Sequence, residues 1–328
     1  MKTLVIDVAA EYGGALTILN QFLSEFKNDK NNQYVIVLST IEYEDSDNIK
    51  YEYYKWVKKS HLHRLFFDVF IVSKLVKKYR PDKIISLQNC AYHIKNIPQD
   101  VYFHNALPIS EKQYTILESK KLWIYQQIIG RIIRRSLKYA STIIVQAEWI
   151  KKALISKWFI DGTKIKLKRP NIDSPQKIQI YNPKVLFYPA NGNLYKNHIT
   201  LIKALIPLWK KYKGPEIHFT GEIKKLPISC QKLLNDPKYP VKFLGTLSKD
   251  EMLEEYSSSI LVFPSYIETI GLPLIEAKSL GSVIIASDCE YAREAVGNYK
   301  NISYFSSFNV NELTEIIENK CQQFYLIK

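Results

Sequence analysis

The residues best placed to do chemistry are two glutamates, Glu268 and Glu276, within residues 264–277. This segment follows the apolar run Ile260–Phe263 and leads into an apolar helical pattern, so it predicts a strand, a loop and a helix. Open α/β sheets bind ligands just beyond the carboxyl ends of their strands, where this loop falls. Gly271 lets the backbone approach a ligand closely, and a helix N-terminus attracts a diphosphate. The two carboxylates suit the hydroxyl groups of a sugar, so the segment predicts a nucleotide-sugar site.

A second candidate is Lys196, which follows the predicted strand Val185–Tyr188 and offers a point charge to a phosphate. Weaker candidates lie in the first half of the chain, each just after a predicted strand: Gly13 and Gly14, Gln88 and Asn89, and His104. A lone glycine pair is typical of a tight turn, and a single histidine at a strand end is usually structural. The pair Gln88 and Asn89 is expected to line an acceptor site.

Two frames of alternating strands and helices are predicted to hold these residues. In the first half, strands are expected at 4–8, 34–38, 83–87, 101–104 and 142–145, and helices at 13–26, 64–79 and 119–139. In the second half, strands are expected at 185–188, 216–220, 241–244, 260–263 and 283–286, and helices at 197–212, at 249–257 and from Pro273. Residues 166–181 lose this rhythm and predict a linker. The pattern indicates two Rossmann-like, doubly wound parallel-sheet domains, residues 1–173 and 174–328, facing one another across a cleft.

The segment 268–276 resembles the E-x7-E motif of the group-1 (family 4) retaining glycosyltransferases, which have the GT-B fold. The similarity continues through residues 277–288 and includes 241–245 and 260–265. It covers most of the second half of the chain, and the first half more weakly. Within the family, the resemblance is closest to bacterial O-antigen and capsular polysaccharide enzymes.

The resemblance implies a role for each candidate. Glu276 is expected to bind the ribose hydroxyls, Glu268 to hold the transferred sugar near its 3-hydroxyl, and the backbone of Gly271 and Leu272 to contact the diphosphate or sugar. Lys196 matches a lysine that clamps the diphosphate together with an arginine, and Asn191 stands where that arginine is usual. From the first domain, Gly13 and Gly14 are expected to face the diphosphate and His104 to contact the donor sugar.

The implied reaction moves a hexose from a nucleotide-diphosphate donor to a glycan acceptor with retention, and it needs neither a metal nor a cofactor. The expected acceptor is carried on a polyprenyl diphosphate, which places the protein in the cytoplasm, peripheral on the inner face of the plasma membrane. Family members usually continue past the equivalent of residues 311–320 with a helix that returns to the first domain, and little room remains for it before Lys328.

The charge distribution adds a surface to this picture. The net charge is +14, and residues 1–180 carry 29 Lys and Arg against 17 Asp and Glu, a difference of +12. Within them, residues 55–80 and 120–138 mix basic side chains with aromatic and aliphatic ones. Either these stretches lie on an anionic membrane, or their apolar faces pack on the sheet and the charges are solvated. The four cysteines are widely spaced, as expected for reduced thiols, and no apolar run is long enough to span a bilayer.

Three other classes of protein fit parts of the sequence. A metal-dependent GT-A transferase needs an Asp-x-Asp motif; Asp45 and Asp47 have this spacing, but their polar surroundings predict an exposed loop. A nucleic-acid-binding protein fits the charge, but no recognition motif supports it, and we expect no nucleic acid as partner. A GT-B enzyme that isomerises or hydrolyses nucleotide sugars would share the same donor site.

Overall fold

A computed structural model describes residues 1–11, 13–169, 185–212 and 214–325. The chain forms two compact units that divide between Arg169 and Pro170, called here the N-terminal and C-terminal units. The predicted domain boundary between residues 173 and 174 lies outside the described residues and stays a prediction. The predicted linker is wrong at its start, because Lys166 belongs to a strand.

The N-terminal unit is built on a seven-stranded sheet with parallel pairing throughout. Its strands are β1 (Lys2–Ile6), β2 (Gln33–Leu38), β3 (Ile49–Tyr53), β4 (Lys83–Ser86), β5 (Gln99–Phe103), β6 (Thr142–Val145) and β7 (Ile165–Leu167), in the order β3-β2-β1-β4-β5-β6-β7. Its helices are α1 (Gly13–Asn28), α2 (His61–Phe66), α3 (Val72–Tyr79), α4 (Ile116–Ile124), α5 (Gly130–Ser136) and α6 (Glu148–Trp158). Strand order reverses between β1 and β4, which makes their carboxyl ends the expected place for a ligand.

Alternating side chains of β1 build the core on both faces of this sheet. Val5 packs with α1, through residues such as Leu19, whereas Leu4 and Ile6 pack with α3. The predicted helices at 64–79 and 119–139 are each interrupted by a π-helical turn, at Phe67–Ile71 and at Tyr125–Ile129. Periodicity alone does not reveal these turns, since each adds one residue without breaking the helical pattern.

The C-terminal unit has a six-stranded sheet, again with parallel pairing throughout. Its strands are β8 (Val185–Tyr188), β9 (Glu216–Phe219), β10 (Val241–Phe243), β11 (Ile260–Phe263), β12 (Ile284–Ser287) and β13 (Ile302–Phe305), in the order β10-β9-β8-β11-β12-β13. Its helices are α7 (His198–Lys211), α8 (Ile228–Leu233), α9 (Lys249–Ser258), α10 (Leu272–Ser279), α11 (Glu290–Val296) and α12 (Val310–Tyr325). The order reverses between β8 and β11.

The prediction of two doubly wound parallel sheets is confirmed. Among the described residues, no helix is both long enough and apolar enough to cross a bilayer. Asp45 and Asp47 lie exposed in the loop before β3, where an Asp45 side-chain oxygen accepts a hydrogen bond from the Tyr51 amide at 2.8 Å. The interpretation of this pair as an exposed acidic loop is therefore confirmed.

Candidate active site

The two loops that carry the strongest candidates begin at the switch point of the C-terminal sheet. One loop follows β8 and contains Lys196; the other follows β11 and contains Glu268. The strands beneath are buried over nearly their whole length, which makes a rigid base. Carboxyl ends of adjacent parallel strands meet at one edge of a sheet, so both loops reach the same place.

Lys196 and Glu268 form an ion pair in which the Lys196 ammonium group donates to Glu268 Oε1. Their side chains are only 14% and 17% exposed, so each group is largely shielded from water. Breaking a pair of this kind by removing one partner costs about 3–5 kcal/mol, because the other charge stays buried. The two residues were selected separately from sequence, and the structure brings them together.

Hydrogen bonds between the loops hold this pair in place. The carbonyl oxygen of Tyr195 accepts from Ser265 Oγ at 3.2 Å and from the Tyr266 amide at 3.1 Å. Beneath the pair, Tyr188 donates to the Lys196 carbonyl and Tyr291 donates to the Ser265 carbonyl. Burial and, to a smaller extent, the nearby Glu268 carboxylate raise the pKa of both phenols well above the usual value. Both hydroxyl groups therefore keep their protons and can donate.

Gly271 is fixed by backbone conformation and by space. Its φ of +65° lies in the left-handed region, and it caps the start of α10. A Cβ atom here would lie 3.1 Å from the Tyr291 ring and 3.2 Å from Leu274 Cδ1. Leu272 follows as the first residue of α10 and is half-buried. The glycine therefore has a structural reason to be here in addition to the predicted contact with a ligand.

Glu276 lies on α10 in a different environment from Glu268. It is half-buried, and burial raises the pKa of its carboxyl group, partly offset by the neighbouring Tyr256 hydroxyl and the Lys249 charge. Tyr256 is fully buried on α9. Glu276 thus lies close to α9, where the Tyr256 hydroxyl and the Lys249 charge both act on its carboxyl group.

The loop after β8 is shaped by Asn191 and Gly192. Asn191 is exposed, and its side-chain oxygen accepts from the Asn193 amide at 3.2 Å, which closes a local turn. A Cβ atom on Gly192 would lie 1.9 Å from the Lys225 carbonyl oxygen, so only glycine fits against that backbone. The sequence signal was the Asn-Gly-Asn run, which is typical of a turn.

Asn197 is the main residue that sequence analysis missed. It is buried in the left-handed conformation with φ of +58°. Its side-chain nitrogen donates to the Pro264 carbonyl at 3.2 Å and the Ser307 carbonyl at 2.6 Å. This single amide joins the loops that follow β8, β11 and β13. The adjacent His198 is buried, and burial together with the Lys196 charge lowers the pKa of its imidazole to about 3, so it stays neutral.

In the N-terminal unit, His104 directly follows β5. Asn89 positions it: its side-chain oxygen accepts from the backbone amides of His104 at 2.7 Å and Asn105 at 3.0 Å. Burial lowers the pKa of the His104 ring to about 4, so the imidazole is neutral near pH 7. Asn89 and Gln88 are both buried, and the Gln88 amide donates to Tyr92. Both side chains thus make internal contacts.

Two further features of this unit bear on the prediction. Gly13 and Gly14 begin α1, as expected from their place after the first strand. Asp7, which was not among the predicted site residues, follows β1 at the switch point. Its side chain is 1% exposed, and burial raises the pKa of its carboxyl group to about 7 despite a 3.2 Å hydrogen bond from the Ala10 amide.

Solved glycosyltransferases share this architecture. HepE of Anabaena, crystallised with UDP and glucose, aligns with a TM-score of 0.66 at 17% identity over 98% of this chain and 90% of its own. WaaG, a glycosyltransferase involved in lipopolysaccharide biosynthesis, aligns with a TM-score of 0.68 at 12% identity over 99% and 91%. The chain has the GT-B architecture of these glycosyltransferases, as the resemblance implied.

The sequence comparison is more specific for the second half. Residues 171–321 match the model of the family "Glycosyl transferases group 1". An uncharacterized glycosyltransferase of Methanocaldococcus jannaschii is 26% identical over 71% of the chain, and the sulfoquinovosyl transferase SQD2 of Arabidopsis thaliana is 26% identical over 58%. These alignments cover 62% and 38% of the two relatives, less than two thirds of either.

Proposed function

We propose that the protein is a glycosyltransferase that moves a hexose from a nucleotide-diphosphate donor to a glycan acceptor, with retention of configuration and without a metal. The observation that carries the proposal is the Lys196–Glu268 ion pair at the switch point of the C-terminal sheet. The match of residues 171–321 to the group 1 family model and the UDP and glucose in the HepE crystal support a nucleotide sugar as the donor.

Each site residue has a role that its surroundings allow. An ammonium group has three protons, so Lys196 can remain bonded to Glu268 and still donate to a phosphate oxygen. The free oxygen of Glu268 can then accept from a hydroxyl group of the transferred sugar. The start of α10 at Gly271 and Leu272 favours binding of the diphosphate. Glu276 is expected to bind the ribose hydroxyls, and the turn around Asn191 to contribute to the donor site.

The proposed mechanism is electrostatic. As the bond to the diphosphate breaks, negative charge grows on the leaving group and positive charge on the sugar. Lys196 and the α10 N-terminus stabilise the negative charge on the leaving group, and the Glu268 carboxylate stabilises the positive charge on the sugar. His104 is expected to complete the donor-sugar site from the N-terminal unit together with the Gly13–Gly14 turn. Its neutral ring can hydrogen-bond a hydroxyl group without adding a charge.

The acceptor is proposed to be a glycan on a lipid carrier of the polyprenyl-diphosphate type, reached from the cytoplasmic face of a membrane. The lipopolysaccharide role of WaaG and the basic charge of residues 1–180 support this proposal.

The test is to incubate the protein with UDP-, GDP- and dTDP-sugars, alone and with a polyprenyl-diphosphate-linked glycan, in the presence and absence of EDTA. We expect one donor class to be consumed only when the acceptor is present, and equally in EDTA. Full turnover without acceptor would make the protein a nucleotide-sugar hydrolase or isomerase instead. Loss of turnover in EDTA would contradict the metal-independent reaction.

A further inference from the structure

An apolar stripe faces solvent on α2 and the π-helical turn after it. Its five side chains are Leu62, Leu65, Phe66, Val69 and Phe70, which are 77%, 51%, 49%, 51% and 54% exposed. Their spacing of three and four residues puts them on one side of the helix. The opposite side already packs on the sheet through Phe67, Val72 and Leu75. This segment therefore has two apolar faces, and within the described residues only one of them is covered.

The π-helical turn helps to separate the two faces. The Val72 amide bonds the carbonyl of Phe67, five residues earlier, so both residues stay on the buried side. Val69 and Phe70 are thereby left outside. The rings of Phe66 and Phe70 lie 5.0 Å apart, and Trp56 lies 6.0 Å from Phe66, so the stripe is a continuous surface. Exposed apolar patches of this kind mark contact with a protein or a membrane.

The charge around the stripe is strongly positive. Residues 55–80 contain eight Lys and Arg and one acidic residue, Asp68, which is paired with Arg64 at 2.9 Å. Lys59, Lys74 and Lys77 are exposed and make no salt bridge within the described residues. They lie before and after the stripe along the helix, where they can reach a surface that the stripe enters.

A second stretch of this unit, residues 120–138, has a similar composition. Residues 120–138 contain six Lys and Arg and no Asp or Glu. Ile128 and Ile132 are 47% and 50% exposed among them. Both stretches thus combine exposed apolar side chains with basic ones.

We propose that this face docks on an anionic lipid bilayer, with the stripe from Leu62 to Phe70 inserted among the headgroups. A bilayer with anionic lipids satisfies both features, because it accepts apolar side chains and attracts the lysines around them. A second copy of the chain would bring two strongly positive surfaces together, and a nucleic acid would leave the stripe in water. Docking would bring the enzyme to a lipid-linked acceptor, and this advantage rests on the proposed function. The docking itself does not rest on it.

The experiment is flotation with two kinds of vesicle, one of phosphatidylcholine alone and one that also contains about 30 mol% phosphatidylglycerol. The second has the negative surface charge that attracts polybasic protein surfaces. Wild type should float with the anionic vesicles only. The triple variant Leu65→Ser/Phe66→Ser/Phe70→Ser should bind the anionic vesicles at least about tenfold more weakly, because it removes the inserted apolar side chains. The fold should stay intact, since all three side chains are exposed. The control is Ile228→Ser, which is 71% exposed in the C-terminal unit and should bind as wild type does.

A second variant, Lys59→Gln/Lys74→Gln/Lys77→Gln, should weaken binding and make it less sensitive to salt. Circular dichroism melting checks the fold of each variant. The proposal is overturned if wild type does not bind anionic vesicles or if the stripe variant binds them as wild type does. It is also overturned if wild type without lipid is a dimer and the stripe variant is a monomer, because the stripe would then be a dimer interface. Thermal shift with nucleotide sugars is measured in parallel: a protein that floats but binds no donor would contradict the proposed function and leave the docking surface standing.

Discussion

The two units hold their polar residues at strand ends in different ways. In the C-terminal unit, a lysine and a carboxylate on neighbouring loops form a shielded ion pair, and a left-handed asparagine joins the loops beneath it. In the N-terminal unit, His104 is kept neutral by burial, and burial raises the pKa of Asp7 to about 7. At these strand ends the C-terminal unit thus holds two opposite charges in place, whereas the N-terminal unit holds an imidazole that is neutral and a carboxyl group whose ionisation is suppressed. The predictions below test that contrast.

The largest effect is expected for Lys196→Ala. It leaves the Glu268 carboxylate largely buried without its partner, which should lower the free energy of unfolding by about 3–5 kcal/mol. Turnover should fall at least about 100-fold, the usual cost of losing one preorganised charge at a reacting centre. The measurements are urea unfolding and steady-state kinetics.

The matched control for that variant is Lys225→Ala, which breaks another Lys–Glu pair of the same unit whose side chains are 71% and 61% exposed. We expect almost no change in stability or turnover, because exposed pairs contribute little. Near-normal turnover of Lys196→Ala would remove this residue from the mechanism.

The next effect is a pH dependence from Asp7. Burial raises the pKa of this carboxyl from 3.8 to about 7, so the folded protein holds the proton more tightly than the unfolded chain does. Its contribution to stability is full below pH 3.8 and is lost as pH rises through about 7. Relative to wild type, Asp7→Asn should therefore gain stability between pH 4 and pH 8, by at most about 4 kcal/mol.

Urea unfolding of both proteins at several pH values measures this gain, with Asp250→Asn as the control at an exposed position. Parallel stability curves for wild type and Asp7→Asn would show that Asp7 is not held in its neutral form.

A smaller effect is expected for Gly271→Ala. The left-handed backbone and the contacts of 3.1 and 3.2 Å to Tyr291 and Leu274 should together cost about 1–3 kcal/mol of stability. Gly281→Ala is the control, because its φ is +80° but a Cβ atom there meets nothing within 4 Å. The difference between the two variants in thermal melting isolates the packing contribution. Equal melting temperatures would contradict it.

Much of this frame could be predicted from the sequence. Strands β6, β8 and β11 match their predicted limits to the residue, because each is a short β-branched or aromatic run with clear boundaries. Strand β3 was missed, since its residues alternate with Lys50 and Glu52 at the edge of the sheet and resemble a polar loop. Lys196 and Glu268 were predicted separately, as ligands of the diphosphate and of the sugar; their ion pair was not predicted, although both loops begin at one switch point.

Other parts depend on tertiary packing and leave little trace in the sequence. The Asn89 side-chain oxygen accepts from a backbone amide, and the Asn197 side-chain nitrogen donates to a backbone carbonyl. Both backbone groups are many residues away in the sequence. Asp7 looks like an ordinary acid after a strand until its burial is known. The stripe on α2 fitted two interpretations in sequence, and only the exposure of its side chains separates a face packed on the sheet from one that meets solvent.

The central claim is that the Lys196–Glu268 site binds a nucleotide sugar, and calorimetric titration tests it most directly. The donor selected in the turnover screen is titrated into wild type, Lys196→Ala, Glu268→Gln and the control Lys225→Ala. We expect wild type and control to bind alike, and the two site variants to bind at least about tenfold more weakly, because each loses a charged hydrogen bond to the ligand. Equal affinity in all four proteins would contradict the site.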